Sequence, residues 1–454
     1  MNTAERRALL EEVRLASSCS HPIRISGEVV HLDTGEIRRR ELKVACKDRR
    51  QVLCPACASL YKADAWILIS AGLIGGKGVD QAATTHPKIF FTLTAPSFGA
   101  VHTTRANGTC HPSRNLRGPD RCAHGRPRSC EGHHAGDPDI LGTPLCPDCF
   151  DYRGAVLWNA HASRLFTHTM RHLQRRLATA GDVERSAFRT VARSNYLKVA
   201  EVQRRGLIHF HGILRADGPE HASSPPPSWL TAELLSRTLA EVVRSTTVTG
   251  LDGLSRGWGR QFDLAEVDPG DSHAASYLAK YSIKTTDGSK HFAYRFRTRR
   301  QIELLDVDDH RRSLALMAWE LAREPGYRHL NLQLHAHAFG FTGQLITKSR
   351  GFTTTFQALR AARADFMARS NEFQTIDGTF RYSGRGYDHP RAVELAEVFF
   401  TMDKELRHER AEARKQTRRA HMSDLEAPSG SHDGPIEAPV EKKFALPALG
   451  SDLL

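Results

Sequence analysis

A chain of 454 residues with 40% hydrophobic and 25% charged side chains has apolar material for two or three packed domains, which excludes a fibrous or low-complexity protein. It has no run of about 18 or more apolar residues, and Glu5, Arg6 and Arg7 followed by Glu11 and Glu12 leave no apolar core of an export signal, so a cytoplasmic protein that does not engage membrane is expected. The 64 Lys and Arg against 51 Asp and Glu leave a net charge of +13, which suits a polyanionic partner and points to nucleic acid.

Residues 1–85 hold the first cysteine group and a helix beginning near Ala58. Its most apolar stretch, Ala65 to Ile74, is short for a membrane and is interrupted by Ser70 and Gly72. Cys19, Cys46, Cys54 and Cys57 can make a tetrahedral thiolate site of the zinc-ribbon kind, with His21 as an alternative ligand. In a chain without an export signal, Cys-x-x-Cys reads as zinc before it reads as a disulfide. The run Gly72 to Gly78 lacks the spacing and the Ser or Thr of a phosphate loop and reads as a helix-ending turn.

Residues 86–150 open with a strand, Lys88 to Ala95, and continue into a Gly-, His- and Cys-rich stretch of little periodicity. Such a stretch needs a metal to hold it. Cys122, Cys130, Cys146 and Cys149 form the second candidate zinc site, with His124 competing, and Cys110 is left over. Two structural zinc ions are therefore expected.

Residues 151–290 are the predicted compact centre. Phe166, Met170, Leu173 and Leu177 recur at helical spacing before Gly181, and Asp182 is placed to cap a short following helix. Two strands, Tyr196 to Gln203 and Leu207 to Leu214, flank the turn Arg204-Arg205-Gly206. A helix from Ala232 to Ser245, a strand from Arg260 to Val267 and a helix starting near His273 complete this part. Residues 291–421 are predicted mostly helical, ending in an Arg-rich helix from Pro390 to His421. Within them, Gly340 to Phe356 carries Lys348, Arg350 and aromatics suited to nucleic-acid contact. The Ser-, Gly- and Pro-rich tail 422–454 is expected to be disordered.

The chemistry concentrates in the centre. On a strand, His209 and His211 project to one face, and the hairpin turn brings Glu201 beside them as a third ligand. Two imidazoles and a carboxylate suit Mn or Mg acting on phosphate. A His-x-His pair alone is unspecific; a second copy, His335-Ala336-His337, has no such carboxylate. About sixty residues later, Tyr277 and Tyr281 share one helix face, with Lys280 and Lys284 in a second row. A phenol next to a polarised phosphodiester and an ammonium is a credible nucleophile, and its attack on DNA leaves a phosphotyrosyl link.

Three stretches in this order resemble the motifs of HUH-superfamily rolling-circle replication initiators. Phe90 to Pro96, with its core Phe91 to Pro96, resembles the F-x-T-L-T-x-P strand, and His209-Phe210-His211 the histidine–hydrophobic–histidine motif with Glu201 as its acidic ligand. Tyr277 to Lys284 resembles the two-tyrosine Y-x-x-K-Y-x-x-K motif of isometric-phage gene A initiators. The likeness is strongest to initiators of actinobacterial plasmids and integrative conjugative elements. It takes in Cys46 to Cys57 and Leu141 to Tyr152, and spans roughly residues 15–365.

The resemblance implies an α+β fold: an HUH endonuclease core whose central antiparallel sheet carries the histidine hairpin, with flanking helices and the tyrosine helix packed across the sheet edge. It implies a bacterial, site-specific nickase that holds Mn or Mg through His209, His211 and Glu201. Tyr281 or Tyr277 would become joined to a 5′ phosphate and free a 3′ hydroxyl, with Lys280 or Lys284 steadying charge. Tyr281 is the safer nucleophile, because some single-tyrosine plasmid initiators carry glutamate at the position of Tyr277. Partners would be single- and double-stranded origin DNA, a host polymerase and, since the chain has no ATPase motif, a separate helicase. Rival readings are a transposase or relaxase of the same superfamily, or a non-catalytic zinc-ribbon DNA-binding regulator. Relaxases commonly use three histidines, where this chain offers Glu201.

Overall fold

The computed structural model describes residues 3–31, 35–104, 109–134, 139–284, 288–370 and 376–426. The described residues divide into two units, one drawn from Met1–Lys47, Cys54–Cys57 and Gln374–Gly450, the other from Asp48–Leu53 and Ala58–Phe373.

In the first unit a three-stranded antiparallel sheet has Ile23–His31 at its centre, paired with Ile37–Val44 on one side and Ile376–Arg385 on the other. The helices Thr3–Leu15 and Arg391–Glu426 meet through Leu9, Val13, Ala392 and Ala396. The C-terminal region is thus not only helical: a strand in it closes a sheet with residues some 350 positions earlier. The expected tail lies outside the described residues from 427 onward, and the final helix runs on to Glu426, past the predicted end at His421.

The second unit is built on a five-stranded antiparallel sheet, in the spatial order Phe262–Glu266, Lys88–Thr94, Ile208–Asp217, Arg193–Val202 and Ile346–Lys348. The mixed α+β class and the antiparallel central sheet agree with expectation. Strand alternation sorts its side chains into two faces. Ile89, Phe91, Leu93, Phe210 and Leu214 pack under the long helix Tyr152–Ala180, whose Phe166 ring lies 6.0 Å from Phe91 and 5.7 Å from Phe210. The opposite face carries Phe90, Leu197, Val199 and Ile213. It is covered by Ala65, Leu68, Ile69 and Leu73 and by the helix His273–Tyr281 through Ala274, Ala275 and Leu278. The tyrosine helix therefore crosses the face of the sheet, not its edge; the apolar 274, 275 and 278 positions need the apolar floor that an edge cannot supply.

The helix Pro55–Ile74 is longer than its apolar stretch suggested, and by length and composition it could cross a membrane. Its most apolar window is 56% buried inside the protein, as expected of a core helix. Gly75, Gly76 and Gly78, all at positive φ, end it in a turn. Asp182 also has positive φ (49°) and belongs to the turn after the long helix; the short helix Phe188–Val191 starts later, from Ala187.

Several charged side chains are buried on the sheet. Arg215 and Asp217, both fully buried, form a two-pronged pair at 2.7 and 2.9 Å, and Asp217 also meets His86 and Asn195. Arg215 further donates to the carbonyls of Gly72, Gly351 and Phe352, so every charge in the network has partners. Lys198 is different. It is 3% exposed, its ammonium sits 3.9 Å from the centre of the Phe210 ring, and burial brings its pKa down to about 7. A lysine held below its unfolded value of 10.5 weakens the fold most below about pH 7, and the cost fades as pH rises toward 10.5. That cost is about 5 kcal/mol by linkage, offset by about 2 from the ring. Lys198→Met is therefore expected to gain about 1–3 kcal/mol in chemical unfolding at pH 7, with the gain shrinking toward pH 10.

Candidate active site

The register of three neighbouring strands assembles the site. His209 stands opposite Glu201 on one side and Thr94 on the other, while His211 stands opposite Val199 and Thr92. The turn between the acidic and histidine strands closes with Gly206 at φ 78°, its amide donating to Gln203 at 2.8 Å. Asn159, on the long helix, fixes this turn through the Gly206 carbonyl and the Ile208 amide. Gly142 presses on it from outside: a Cβ there would come 2.5 Å from the Arg204 carbonyl carbon. Gly212, between His211 and Ile213, is also dictated by space, since a Cβ would fall 2.3 Å from the Phe91 ring.

His209 and His211 are buried, with ring centres 4.5 Å apart. The Nε2 of His211 lies 3.2 Å from Oε2 of Glu201, and its Nδ1 lies 3.1 Å from the Thr92 hydroxyl. His209 meets the Thr94 hydroxyl through Nε2 at 3.2 Å and the Gln203 amide through Nδ1 at 3.1 Å. Half-buried Arg205 orients Gln203 and ties the turn to the carbonyls of Ala95 and Pro96. Burial, with His211 and the Arg205 guanidinium close by, holds the His209 pKa well below its usual value, so this imidazole is neutral and able to act as a ligand. Burial pushes the Glu201 carboxyl up, but its bonds to His211 and Lys284 prevail, and it stays ionised below its normal range.

The tyrosine helix lays both phenols over these groups. Tyr281 stacks on His211 with ring centres 4.8 Å apart, and Tyr277 meets His211 edge-on at 5.4 Å. The two tyrosine rings are 5.1 Å apart. Burial raises both phenol pKa values, and the Glu201 charge adds to the effect. Lys284 reaches Oε1 of Glu201 at 2.7 Å and sits 4.7 Å from the Tyr281 ring centre, closer than Lys280 at 5.9 Å. The structure thus brings His209, His211, Glu201, Tyr277, Tyr281, Lys280 and Lys284 together. His335 and His337 lie elsewhere, in a 3-10 helix, Leu332–Ala338.

Sequence reasoning passed over several residues here. Gln203, which holds His209, lies two residues from Glu201, where strand periodicity could have found it; Thr92 and Thr94, inside the first motif but given no role there, hold the two imidazoles. Arg49, which donates to the Lys284 carbonyl at 2.9 Å and fixes the end of the tyrosine helix, had no local signal.

Among the described residues, three groups rich in cysteine and histidine, each with ligand atoms all within 4.8 Å of one another, can hold structural zinc. Cys19, Cys46, Cys54 and Cys57 come together with Cys46–Cys57 and Cys54–Cys19 sulfur separations of 3.6 and 3.7 Å, too long for disulfides. His21 is not among them. The second group differs from expectation: it is Cys122, His124, Cys146 and Cys149, with His124 in the place expected for Cys130. Cys130 stands instead with His102, Cys110 and His134, so Cys110 is not left over. The imidazole–carboxylate site is looser than these groups, because both ring nitrogens of His209 are turned to protein partners.

The model of the RepSA family, described as "Replication initiator protein, pSAM2", matches residues 5–400. The chain belongs to this family of replication initiators. The initiator is also 33% identical over 446 residues to a replication initiator protein of Streptomyces ambofaciens, an alignment covering 90% of this chain and 92% of that protein. No solved structure matches the initiator.

Proposed function

We propose that this initiator nicks one strand of its origin by tyrosine attack, on an HUH-type endonuclease core, and so starts rolling-circle replication of a plasmid or integrative element. The observation that carries the reading is the stacking of Tyr281 on His211, 4.8 Å between ring centres, with Glu201 bonded to that same imidazole. A nucleophile and an anion-and-imidazole pair from separate elements meet at one point on the sheet.

In this reaction the Tyr281 oxygen bonds to phosphorus, giving up its proton as the bond from phosphorus to the 3′ oxygen breaks. The departing oxygen takes up a proton and becomes the 3′ hydroxyl that primes synthesis. Lys284, already over the Tyr281 ring, favours the phenolate and the developing charge. Thr92, Thr94 and Gln203 keep the two imidazoles on the reacting face. Tyr277 supplies a second acceptor for strand transfer at termination.

The donor set fits a hard divalent cation: ionised Glu201 and His211 offer an oxygen and a nitrogen 3.2 Å apart, and neutral His209 can join them by leaving Thr94. Bound there, Mn or Mg would polarise the scissile phosphate. Origin DNA, single- and double-stranded, is the substrate, and a host helicase and polymerase complete replication in the bacterial cytoplasm.

The test is a supercoiled plasmid carrying the element's origin, incubated with the initiator and manganese. The expected product is an open circle whose nick bears an extendable 3′ hydroxyl and a protein-blocked 5′ end. Stable binding with the plasmid left supercoiled would instead favour a non-catalytic DNA-binding regulator.

A further inference from the structure

We propose that His102, Cys110, Cys130 and His134 hold a third zinc ion, and that this site interlocks with the Cys122, His124, Cys146 and Cys149 site as a cross-brace. The ligand pairs alternate along the chain: 102 and 110 to one site, 122 and 124 to the other, 130 and 134 back to the first, 146 and 149 to the second.

The geometry is that of an ion's coordination shell. His134 Nε2 lies 3.2 Å from His102 Nδ1 and 3.2 Å from the Cys130 sulfur, and the Cys110 sulfur is 3.8 Å from His102 Nδ1. Ligand atoms around a tetrahedral zinc with bonds of about 2.0–2.3 Å stand roughly 3.3–3.8 Å apart. One ordinary hydrogen bond satisfies a ring nitrogen, which has a single proton or lone pair, whereas His134 Nε2 faces two partners at equal distance, as ligands around one ion do. The Cys110 sulfur also accepts the Thr103 amide at 3.2 Å, the kind of contact that steadies a zinc-bound thiolate.

The backbone prepares the site. Reciprocal amide bonds of 2.7 Å between His111 and Cys130, with Cys110 donating to Gly132 at 3.1 Å, set the two cysteines side by side. His102 is fixed by exchange with Thr143 and Gly142, both bonds 2.8 Å, in the segment that runs on to Cys146. In the second site, His124 Nδ1 is 3.2 Å from the Cys149 sulfur and 3.8 Å from the Cys146 sulfur, the same spacing. The chain's nine cysteines are then all used, four, two and three to the three sites, and the odd count is explained. The described part of 101–149 has little regular structure beyond single bridges and two short 3-10 turns, so ions must supply what a core does not.

Zinc counting on the purified full chain tests this. The wild type is expected to carry three equivalents, and Cys110→Ser two or fewer. His134→Cys, which replaces an imidazole by a thiolate, is expected to keep three and thereby guards against simple misfolding of the serine variant. Two equivalents in the wild type, or an unchanged count in Cys110→Ser, would overturn the third site. The count does not depend on nicking, so it stands or falls apart from the proposed activity.

Discussion

Tyr281→Phe is expected to lower the yield of covalent protein–DNA adduct about a thousandfold or more, the order seen when a nucleophile is removed and only binding and electrostatics remain. The substitution removes one oxygen and leaves the ring stacked on His211, so the fold has no reason to change. Tyr277→Phe is expected to leave the first cleavage within about tenfold while stopping strand transfer at termination. The two phenols are not equivalent: Tyr281 lies flat on His211 beneath Lys284, whereas Tyr277 meets His211 edge-on and rests against Phe90 at 5.7 Å. Denaturing gels of each variant with labelled single-stranded origin DNA read the outcome. If only Tyr277→Phe erased the adduct, the roles would be exchanged; if the double variant kept it, the nucleophile would lie elsewhere.

The second large effect is expected from Glu201→Gln, which keeps shape and removes charge. The carboxylate bonds both His211 and Lys284, and those bonds keep it ionised despite burial. Its loss is expected to raise the manganese concentration for half-maximal nicking by about tenfold to a hundredfold and to slow nicking about a hundredfold to a thousandfold at fixed metal. Binding to duplex origin should be unchanged or tighter, because a negative charge has gone. An unaltered manganese dependence would remove Glu201 from the ligand set.

The residues that converge here were readable because each obeys a local period. Alternation along Lys88–Thr94 and Ile208–Asp217 fixes which side chains face the site, and the Gly206 turn sets the hairpin register. The helix Ala232–Ser245 is also local in origin, begun by the Thr231 hydroxyl accepting the Leu234 amide. What escaped was decided at long range. The three residues Ile346–Lys348 form a strand only because the edge of Arg193–Val202 is open to them, and Ile376–Arg385 because Ile23–His31 is. Neighbouring cysteines were paired by proximity in sequence, whereas the backbone bridge between His111 and Cys130 carries Cys130 past Cys122 to Cys110. The placement of the tyrosine helix over the sheet face depended on Phe90, Leu197 and Ile213 forming a floor for it, a property of three separate strands.

Mass spectrometry of the adduct formed with manganese and single-stranded origin DNA would put the account to its most direct trial. A phosphonucleotide attached through its 5′ phosphate to Tyr281, with Tyr277 as the alternative acceptor, is the predicted result. Cleavage with no attached nucleotide, or attachment to a residue outside His273–Tyr281, would contradict it.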